Sequence, residues 1–189
     1  MMARAVPLLF CLVLGAPTLA GAQAPLDPQL RELLKNAIEE ADSFEDRFMA
    51  EVWMKDMSTR LSSWVEDPVE RLELLRLVHR EATRAEIPPE LVLAVIETES
   101  SFNRFAVSHA GARGLMQIMP FWLEEIGHPE DNLFHMDTNL RMGCTILKYY
   151  LDMEDGNLRK ALARYNGSAG RRTYPDKVFR ALSKRWFRQ

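Results

Sequence analysis

The sequence predicts a mainly α-helical protein with at most a small β-hairpin. No glycine occurs between Gly21 and Gly111, so this long stretch lacks the residue that most often ends a helix. Apolar residues recur there at steps of three and four, which is the spacing of one helix face. All later glycines lie between Gly111 and Gly170, so tight turns and a hairpin are expected only in the second half of the chain.

Residues 1–22 have the pattern of a secretory signal peptide. Arg4 precedes an apolar run at residues 6–14, and the small residues at 20–22 predict cleavage before Gln23. A membrane anchor is the alternative, but the run is too short for a span and is interrupted by proline and glycine. Cys11 lies inside the run rather than just after the small residues, which disfavours a lipoprotein anchor. We therefore predict export to a periplasm and no stable membrane span in the mature chain.

Residues 23–66 are predicted to form an N-terminal helical segment. Asp27-Pro28 is a helix start, and apolar residues then recur at helical spacing as far as Val52. The pattern predicts one long helix or a helical hairpin ending at about Val65. Two roles stay open: the segment packs against the rest of the protein, or it binds a protein partner.

Residues 67–189 are predicted to form the main domain. Asp67-Pro68-Val69-Glu70 combines an N-cap residue, a proline at the first helical position and the acid of a capping box. Pro88-Pro89 starts the next helix in the same way. Helical patterning resumes after Pro120, in the ranges 121–126, 137–153, 158–164 and 176–187. Between these two halves, residues 103–120 are the one region where a helix is doubtful.

Glu99 is the strongest candidate for a catalytic residue. At about 100° per residue, Val92, Val95 and Ile96 fall on the same narrow helix face as Glu99, whereas Glu97 falls on the opposite side. Burial on that face disfavours the charged carboxylate and raises its pKa, as a general acid near neutral pH requires. The alternative is a structural glutamate held by backbone donors.

Several separated blocks of sequence resemble the soluble lytic transglycosylase (SLT) family. These enzymes are lysozyme-like and cleave peptidoglycan strands. The resemblance covers about residues 74–178. Its blocks are Glu99-Ser100, Ala106-Val107-Ser108, Gly111-Ala112, Gly114-Leu115-Met116-Gln117-Ile118-Met119-Pro120, Asn139-Leu140-Arg141-Met142-Gly143 and Ala161-Leu162-Ala163-Arg164-Tyr165-Asn166-Gly167.

The resemblance implies a lysozyme-like domain in which Glu99 is the sole catalytic acid/base. In the family, this glutamate protonates the oxygen that links N-acetylmuramic acid to N-acetylglucosamine. It then takes a proton from the muramic C6 hydroxyl, which attacks C1 and closes a 1,6-anhydro ring. Glycosidases usually need two carboxylates, yet residues 100–123 contain no Asp or Glu. That absence is compatible with a substrate-assisted mechanism, in which the sugar's N-acetyl oxygen stabilises C1.

The same resemblance implies that Ser108, Met116, Gln117, Tyr165 and Asn166 belong to the substrate-binding site. Ser108 is expected near the glutamate or the N-acetyl group, with a local turn hydrogen bond as the alternative. Gln117 is expected to bind sugar amide or hydroxyl groups, and Met116 to pack beneath the site. The Tyr165 hydroxyl is expected to contact Glu99 or the substrate, with a tyrosine that only packs as the alternative.

Phe121 and Trp122 replace the small and threonine-like residues that often follow this Met-Pro pair. An exposed Trp122 would stack on a sugar face, and a place in the core is the alternative. Only Cys144 survives removal of the signal peptide, so an intrachain disulfide is excluded and a buried free thiol is expected. No Cys/His spacing resembles a metal site, so neither a metal nor a cofactor is predicted.

The formal net charge of −3 hides an uneven distribution. Residues 157–189 hold ten Lys/Arg and one acid, whereas residues 27–99 hold eighteen Asp/Glu and nine Lys/Arg. The basic end is either an ordinary solvated surface or a contact with anionic wall polymer or membrane. Nucleic acid is not an expected partner, since no binding motif is recognisable.

The leading prediction is therefore a lytic transglycosylase whose partner is the peptidoglycan strand. Two alternatives stay open. One is a muramidase of the same fold that lets water attack, as goose-type lysozymes do. The other is a glycan-binding or scaffolding module of the cell-wall machinery.

Overall fold

The computed structural model describes residues 46–128 and 130–187, together with Glu32 and Ser43. The predicted signal peptide at 1–22 lies outside the described residues. The same holds for most of the helical pattern predicted before residue 46.

Seven α-helices follow one another in the described ranges: α1 Arg47–Leu61, α2 Pro68–Arg84, α3 Pro89–Ser100, α4 Trp122–Ile126, α5 Met136–Met153, α6 Leu158–Tyr165 and α7 Thr173–Ala181. A π-helical turn, Leu182–Trp186, continues α7. Residues 46–128 and 130–187 contain no β-strand, and two isolated antiparallel bridges join Arg113 to Val107 and to Ile118. The predicted fold class, mainly α with at most a small hairpin, is confirmed.

Helix α2 begins where its capping signals predict. The Asp67 side chain accepts a hydrogen bond from the Val69 backbone N–H at 2.9 Å, and Pro68 is the first helical residue. The apolar residues of α2 at steps of three and four are all buried: Leu72, Leu75, Val78 and Ala82. Helix α1, from the N-terminal segment, packs against α2 and adds Trp53, Met54 and Met57 to the same core.

Helix α3 is the centre of the molecule. Its sequence predicts a narrow apolar stripe, but every side chain in the range 91–96 is buried. Helices α2 and α7 and the π-helical turn all contact it. A helix that is apolar all round is buried on every side, which agrees with the complete burial of residues 91–96, while the end that carries Glu99 is half-buried. Cys144, on α5, is a buried free thiol as predicted.

The last helix starts three residues before its predicted position. Helix α7 begins at Thr173 rather than Asp176, with Pro175 inside its first turn. Proline is tolerated there because the N–H groups of a first turn have no partner within the helix. This shift places Tyr174 on the helix, with its side chain buried.

Among the helices of residues 46–128 and 130–187, none combines the length and the hydropathy needed to cross a membrane.

Candidate active site

Glu99 lies in the last turn of α3 and lines a cleft of about 420 Å³. Four of the five residues predicted to bind substrate line the same cleft: Ser108, Gln117, Tyr165 and Asn166. They come from the loop after α3 and from the end of α6. Asn166, which follows Glu99 by 67 positions in the sequence, therefore shares one cavity with it.

Burial raises the pKa of the Glu99 carboxyl above its ordinary value. The Tyr174 hydroxyl and then the Asn166 side chain act in the opposite direction and lower the pKa, because a donor that faces a carboxylate stabilises its charged form. Burial has the larger effect, so the carboxyl retains its proton to a higher pH than an exposed glutamate does. The direction matches the one that the sequence predicts for a general acid.

Tyr174 is the site residue that the sequence analysis missed. Its hydroxyl is buried and has no hydrogen-bond partner among the described residues. The Tyr174 hydroxyl and the Glu99 carboxyl each shift the pKa of the other, so the two groups are close neighbours. A buried donor without a partner is costly, and the nearby carboxylate is the acceptor available to it. No sequence pattern marks Tyr174, because its burial depends on where α7 begins.

Tyr165 lines the cleft, but its hydroxyl does not make the hydrogen bond to Glu99 that was one of its two expected contacts. Its hydroxyl donates to the Met116 backbone carbonyl at 2.8 Å rather than to Glu99. Burial, with a smaller effect from the nearby Glu99 charge, raises the pKa of Tyr165 well above its ordinary value. The ring therefore stays neutral and joins the end of α6 to the loop that carries Gln117.

The side chains of Ser108 and Gln117 both form hydrogen bonds with backbone groups of their own loop. The Ser108 hydroxyl accepts from the Ala112 backbone N–H at 3.0 Å, which is the local turn bond considered as its alternative. The Gln117 amide nitrogen donates to the carbonyls of Gly114, at 2.9 Å, and Ala106, at 3.2 Å. Its φ of 52° is rare for a residue with a side chain. These bonds leave the Gln117 amide oxygen as the end of the side chain available to a ligand.

Met116 supports the site from below and does not line the cleft. It is completely buried, and its sulfur packs so closely on Gly143 of α5 that a Cβ there would lie 2.3 Å away. The Met116 side chain therefore packs beneath the site, as one expectation had it, and does not reach the space where substrate would bind. The reason is that Leu115, Met116 and Ile118 turn inward while Gln117 faces the cleft.

Asn139 of α5 fixes the loop in this position. Its amide oxygen accepts from the Met116 N–H at 2.8 Å. Its amide nitrogen donates to the carbonyls of Arg113, at 2.9 Å, and Leu133, at 2.8 Å. Asn139 is 1% exposed, so these three bonds satisfy a buried amide and join the loop to the helix.

The turn that follows Glu99 is held by an aromatic cluster. Ser101 and Phe102 both have left-handed φ values, 49° and 64°. The ring centroid of Phe102 lies 5.6 Å from that of Trp64 and 5.5 Å from that of Trp186. This packing stabilises a backbone conformation that is unfavourable for residues with a Cβ.

Glu99 is the only carboxylic acid among the described residues that line the cleft. Glu97, on the opposite side of α3, accepts from the Trp186 indole N–H at 2.8 Å and pairs with Arg185 at 2.9 Å. Arg164 also lines the cleft and is paired with Glu154. Within residues 46–128 and 130–187, no group of three or more His, Cys, Asp or Glu side chains is close enough to hold a metal ion.

A family profile described as "Transglycosylase SLT domain" matches residues 76–185, which is more than half of the chain. Two curated relatives are each 35% identical to this chain. They are the membrane-bound lytic murein transglycosylases C of Yersinia pestis (strain Pestoides F) and of Yersinia pseudotuberculosis serotype O:1b (strain IP 31758). Each alignment covers 51% of this chain and 31% of the relative. The chain thus spans about a third of the length of these relatives.

Two solved structures are also similar. The 70 kDa soluble lytic transglycosylase of Escherichia coli is 22% identical, with a TM-score of 0.47 over 82% of this chain and 31% of its own. An inactive variant of the lytic transglycosylase Slt of Pseudomonas aeruginosa is 21% identical, with a TM-score of 0.47 over 84% of this chain and 34% of its own.

Proposed function

Because the chain belongs to the transglycosylase SLT domain family, we propose that it is a peptidoglycan lytic transglycosylase. The bond cleaved is the β-1,4 bond from N-acetylmuramic acid to N-acetylglucosamine. The products are a strand that ends in 1,6-anhydro-N-acetylmuramic acid and a strand with a free 4-hydroxyl on N-acetylglucosamine.

The observation that carries this proposal is a single carboxylic acid in the cleft, with its pKa raised by burial. A protonated carboxyl is the form that can donate a proton to a leaving oxygen. A second carboxylate, which would act as a base or nucleophile in most glycosidases, is missing from the described residues that line the cleft. The substrate's own groups must then supply what the second acid supplies elsewhere.

The reaction uses the Glu99 carboxyl group twice. The Glu99 carboxyl gives its proton to the glycosidic oxygen, and the bond between that oxygen and C1 of the muramic ring breaks. The acetamido oxygen of the same ring stabilises C1. The Glu99 carboxylate then takes the proton of the C6 hydroxyl as O6 forms its bond to C1. Glu99 is again protonated, and no water is consumed.

The surrounding residues have supporting roles in this proposal. The Tyr174 hydroxyl stabilises the Glu99 carboxylate in the second step, since it is a buried donor without another partner in the part of the chain that the structure describes. The Gln117 amide oxygen and the Asn166 side chain bind polar groups of the sugars, and Ser108 borders the same space. Tyr165 positions the loop through Met116.

The proposal includes an exported location. Residues 1–22 are removed as a signal peptide, 23–66 form the N-terminal helical segment and 67–189 form the catalytic domain. Peptidoglycan lies outside the cytoplasmic membrane, so this processing brings enzyme and substrate together. A protein partner for residues 23–66 stays a prediction.

Glu99→Gln tests the role of the acid. Replacing it should lower turnover of isolated peptidoglycan sacculi at least about a hundredfold, the usual contribution of general acid catalysis. Glu97→Gln is the matched control, because it makes the same change two residues earlier on the face of α3 that is turned toward Trp186. Equal turnover by wild type and Glu99→Gln would exclude Glu99 as the acid.

Mass spectrometry of the released fragments tests the reaction type. Lytic transglycosylation predicts 1,6-anhydro-muramic ends, which are lighter by one water than the reducing ends left by hydrolysis. Reducing ends as the main product would identify a muramidase instead. Binding of sacculi without the release of any fragment would identify a glycan-binding module.

A further inference from the structure

Two adjacent aromatic residues form one wall of the cleft. Phe121 and Trp122 follow Pro120 directly, and their ring centroids are 5.0 Å apart. Both line the cleft that contains Glu99, and Phe121 is 51% exposed. An exposed aromatic pair inside a concave site is more informative than a single exposed apolar residue elsewhere on the surface.

The pair is held in place. Trp122 packs part of its surface against the hydrophobic core and lines the cleft with another part. It is the first residue of α4, and its backbone N–H donates to the Met119 carbonyl at 3.1 Å. The aromatic surface is therefore ordered before any ligand binds, which reduces the entropy lost on binding.

We propose that Phe121 and Trp122 form a stacking platform for one N-acetylhexosamine ring of the glycan strand, a role that rests on the proposed function of the cleft. A β-1,4-linked pyranose of this type carries equatorial substituents, so one face of its ring presents C–H groups. These groups fit against an aromatic face, while the hydroxyl and acetamido groups at the ring edge reach polar side chains such as Gln117. Such a ring, with an apolar face and a polar edge, matches a cleft that is lined by both aromatic and polar side chains.

A peptide stem of the wall polymer is a poorer match for this wall. Its carboxylates need cationic partners, and Arg164, the cation that lines the cleft, is already paired with Glu154. The platform therefore selects a sugar ring by stacking and not by charge.

Binding of the β-1,4-linked N-acetylglucosamine hexamer, measured by calorimetry, tests the platform. All proteins carry Glu99→Gln, so that binding is measured without turnover. Phe121→Ala and Trp122→Ala should each bind the hexamer about tenfold more weakly, equivalent to about 1.4 kcal/mol. Trp122→Phe should bind nearly as well as the parent because it retains an aromatic face. Phe187→Ala, which removes a 63% exposed ring outside this cleft, should change nothing.

Tryptophan fluorescence gives an independent readout. Of the four tryptophans of the chain, all described, Trp122 alone lines the cleft. The hexamer should shift the emission of the Glu99→Gln protein to shorter wavelength, and the shift should vanish in Glu99→Gln/Trp122→Phe. Circular dichroism checks folding. If Trp122→Ala does not fold, Phe121→Ala decides the question, because its side chain is largely exposed.

The outcomes separate the platform from the proposed function. Unchanged affinity in Phe121→Ala and in folded Trp122→Ala would overturn the platform, whatever the activity of the wild type. Weakened hexamer binding, together with a wild type that releases no fragments from sacculi, would support the platform while contradicting the transglycosylase.

Discussion

At the scale of single residues, the Glu99 carboxyl experiences two opposed effects. Burial favours its neutral form, whereas Tyr174 and Asn166 favour the charged form. The proposed mechanism needs both effects, because in it Glu99 donates a proton and then takes one back. The Tyr174 hydroxyl has no other partner among the described residues, so its effect falls on Glu99.

Tyr174→Phe should move the pH dependence of the reaction to higher pH. Glu99 must be protonated to act as the acid, so kcat/KM falls as pH rises through its pKa. The Tyr174 hydroxyl lowers that pKa, and its removal therefore raises the pKa and moves the alkaline limb upward. Asn166→Ala should act in the same direction. The measurement is kcat/KM on sacculi fragments across pH.

The control for this shift is Tyr165→Phe. The Tyr165 hydroxyl donates to the Met116 carbonyl, so its loss should leave the position of the alkaline limb unchanged. An alkaline limb that stays in place or moves to lower pH in Tyr174→Phe would contradict the role given to Tyr174.

At the scale of secondary-structure elements, the site depends on how the loop after α3 docks on α5. Asn139 binds the loop backbone at Arg113 and Met116. Gly143 admits the Met116 side chain, and Gly114 passes close to Asn139. The blocks 114–120 and 139–143, which residues 121–138 separate in the sequence, are therefore one structural unit.

Gly114→Ala should disrupt this docking, and Gly111→Ala is its matched control. Both glycines have left-handed φ values, 77° and 86°. A Cβ at Gly114 would lie 2.3 Å from the Asn139 amide nitrogen and 2.4 Å from the Leu133 carbonyl oxygen, whereas nothing lies within 4 Å of one at Gly111. The control should lose about 1–2 kcal/mol of unfolding free energy from backbone strain alone.

We expect Gly114→Ala to lose about 3 kcal/mol or more, since a steric clash adds to the strain. It should also lose activity, because Gln117 moves with the loop. Urea unfolding measures the first effect, and fragment release from sacculi measures the second. Equal losses of stability in the two variants would show that the close approach to Asn139 is unimportant.

At the scale of the whole molecule, residues on both sides of the family match complete the core. The match covers 76–185, yet Trp64 precedes it and Trp186 follows it. The two ring centroids are 5.9 Å apart, and both rings pack on Phe102. The Arg60 guanidinium also donates to the Arg185 carbonyl at 2.5 Å. The N-terminal segment and the end of the chain therefore support the turn that follows Glu99.

Trp186→Ala should destabilise the protein strongly, by about 3–5 kcal/mol, as expected for removal of a large buried side chain. Trp186 is 0% exposed and also donates to Glu97. The neighbouring Phe187 is 63% exposed, so Phe187→Ala should change the unfolding free energy by less than about 0.5 kcal/mol. Urea unfolding of both variants checks this contrast. A loss below 1 kcal/mol in Trp186→Ala would contradict the role of the cluster.

Local sequence determined the features that depend on neighbours in the chain. Capping residues set the start of α2, because an N-cap side chain satisfies N–H groups only two or three residues away. The 3.6-residue period placed Glu99 in line with buried residues, and burial gave its carboxyl the predicted pKa direction. The stretch 103–120, which contains Gly111 and Gly114, formed the loop with two isolated antiparallel bridges.

Only the tertiary structure decided which distant groups meet. The sequence predicts one buried stripe on α3, but three other elements surround the helix and bury its whole central part. The sequence does not indicate that Tyr174 lies close to Glu99. Nor does it indicate that the Tyr165 hydroxyl donates to the Met116 backbone carbonyl. Periodicity reports which face of a helix is apolar. Periodicity does not report which distant side chains, such as Tyr174, pack near that helix. The identity of these side chains depends on how all the helices fit together.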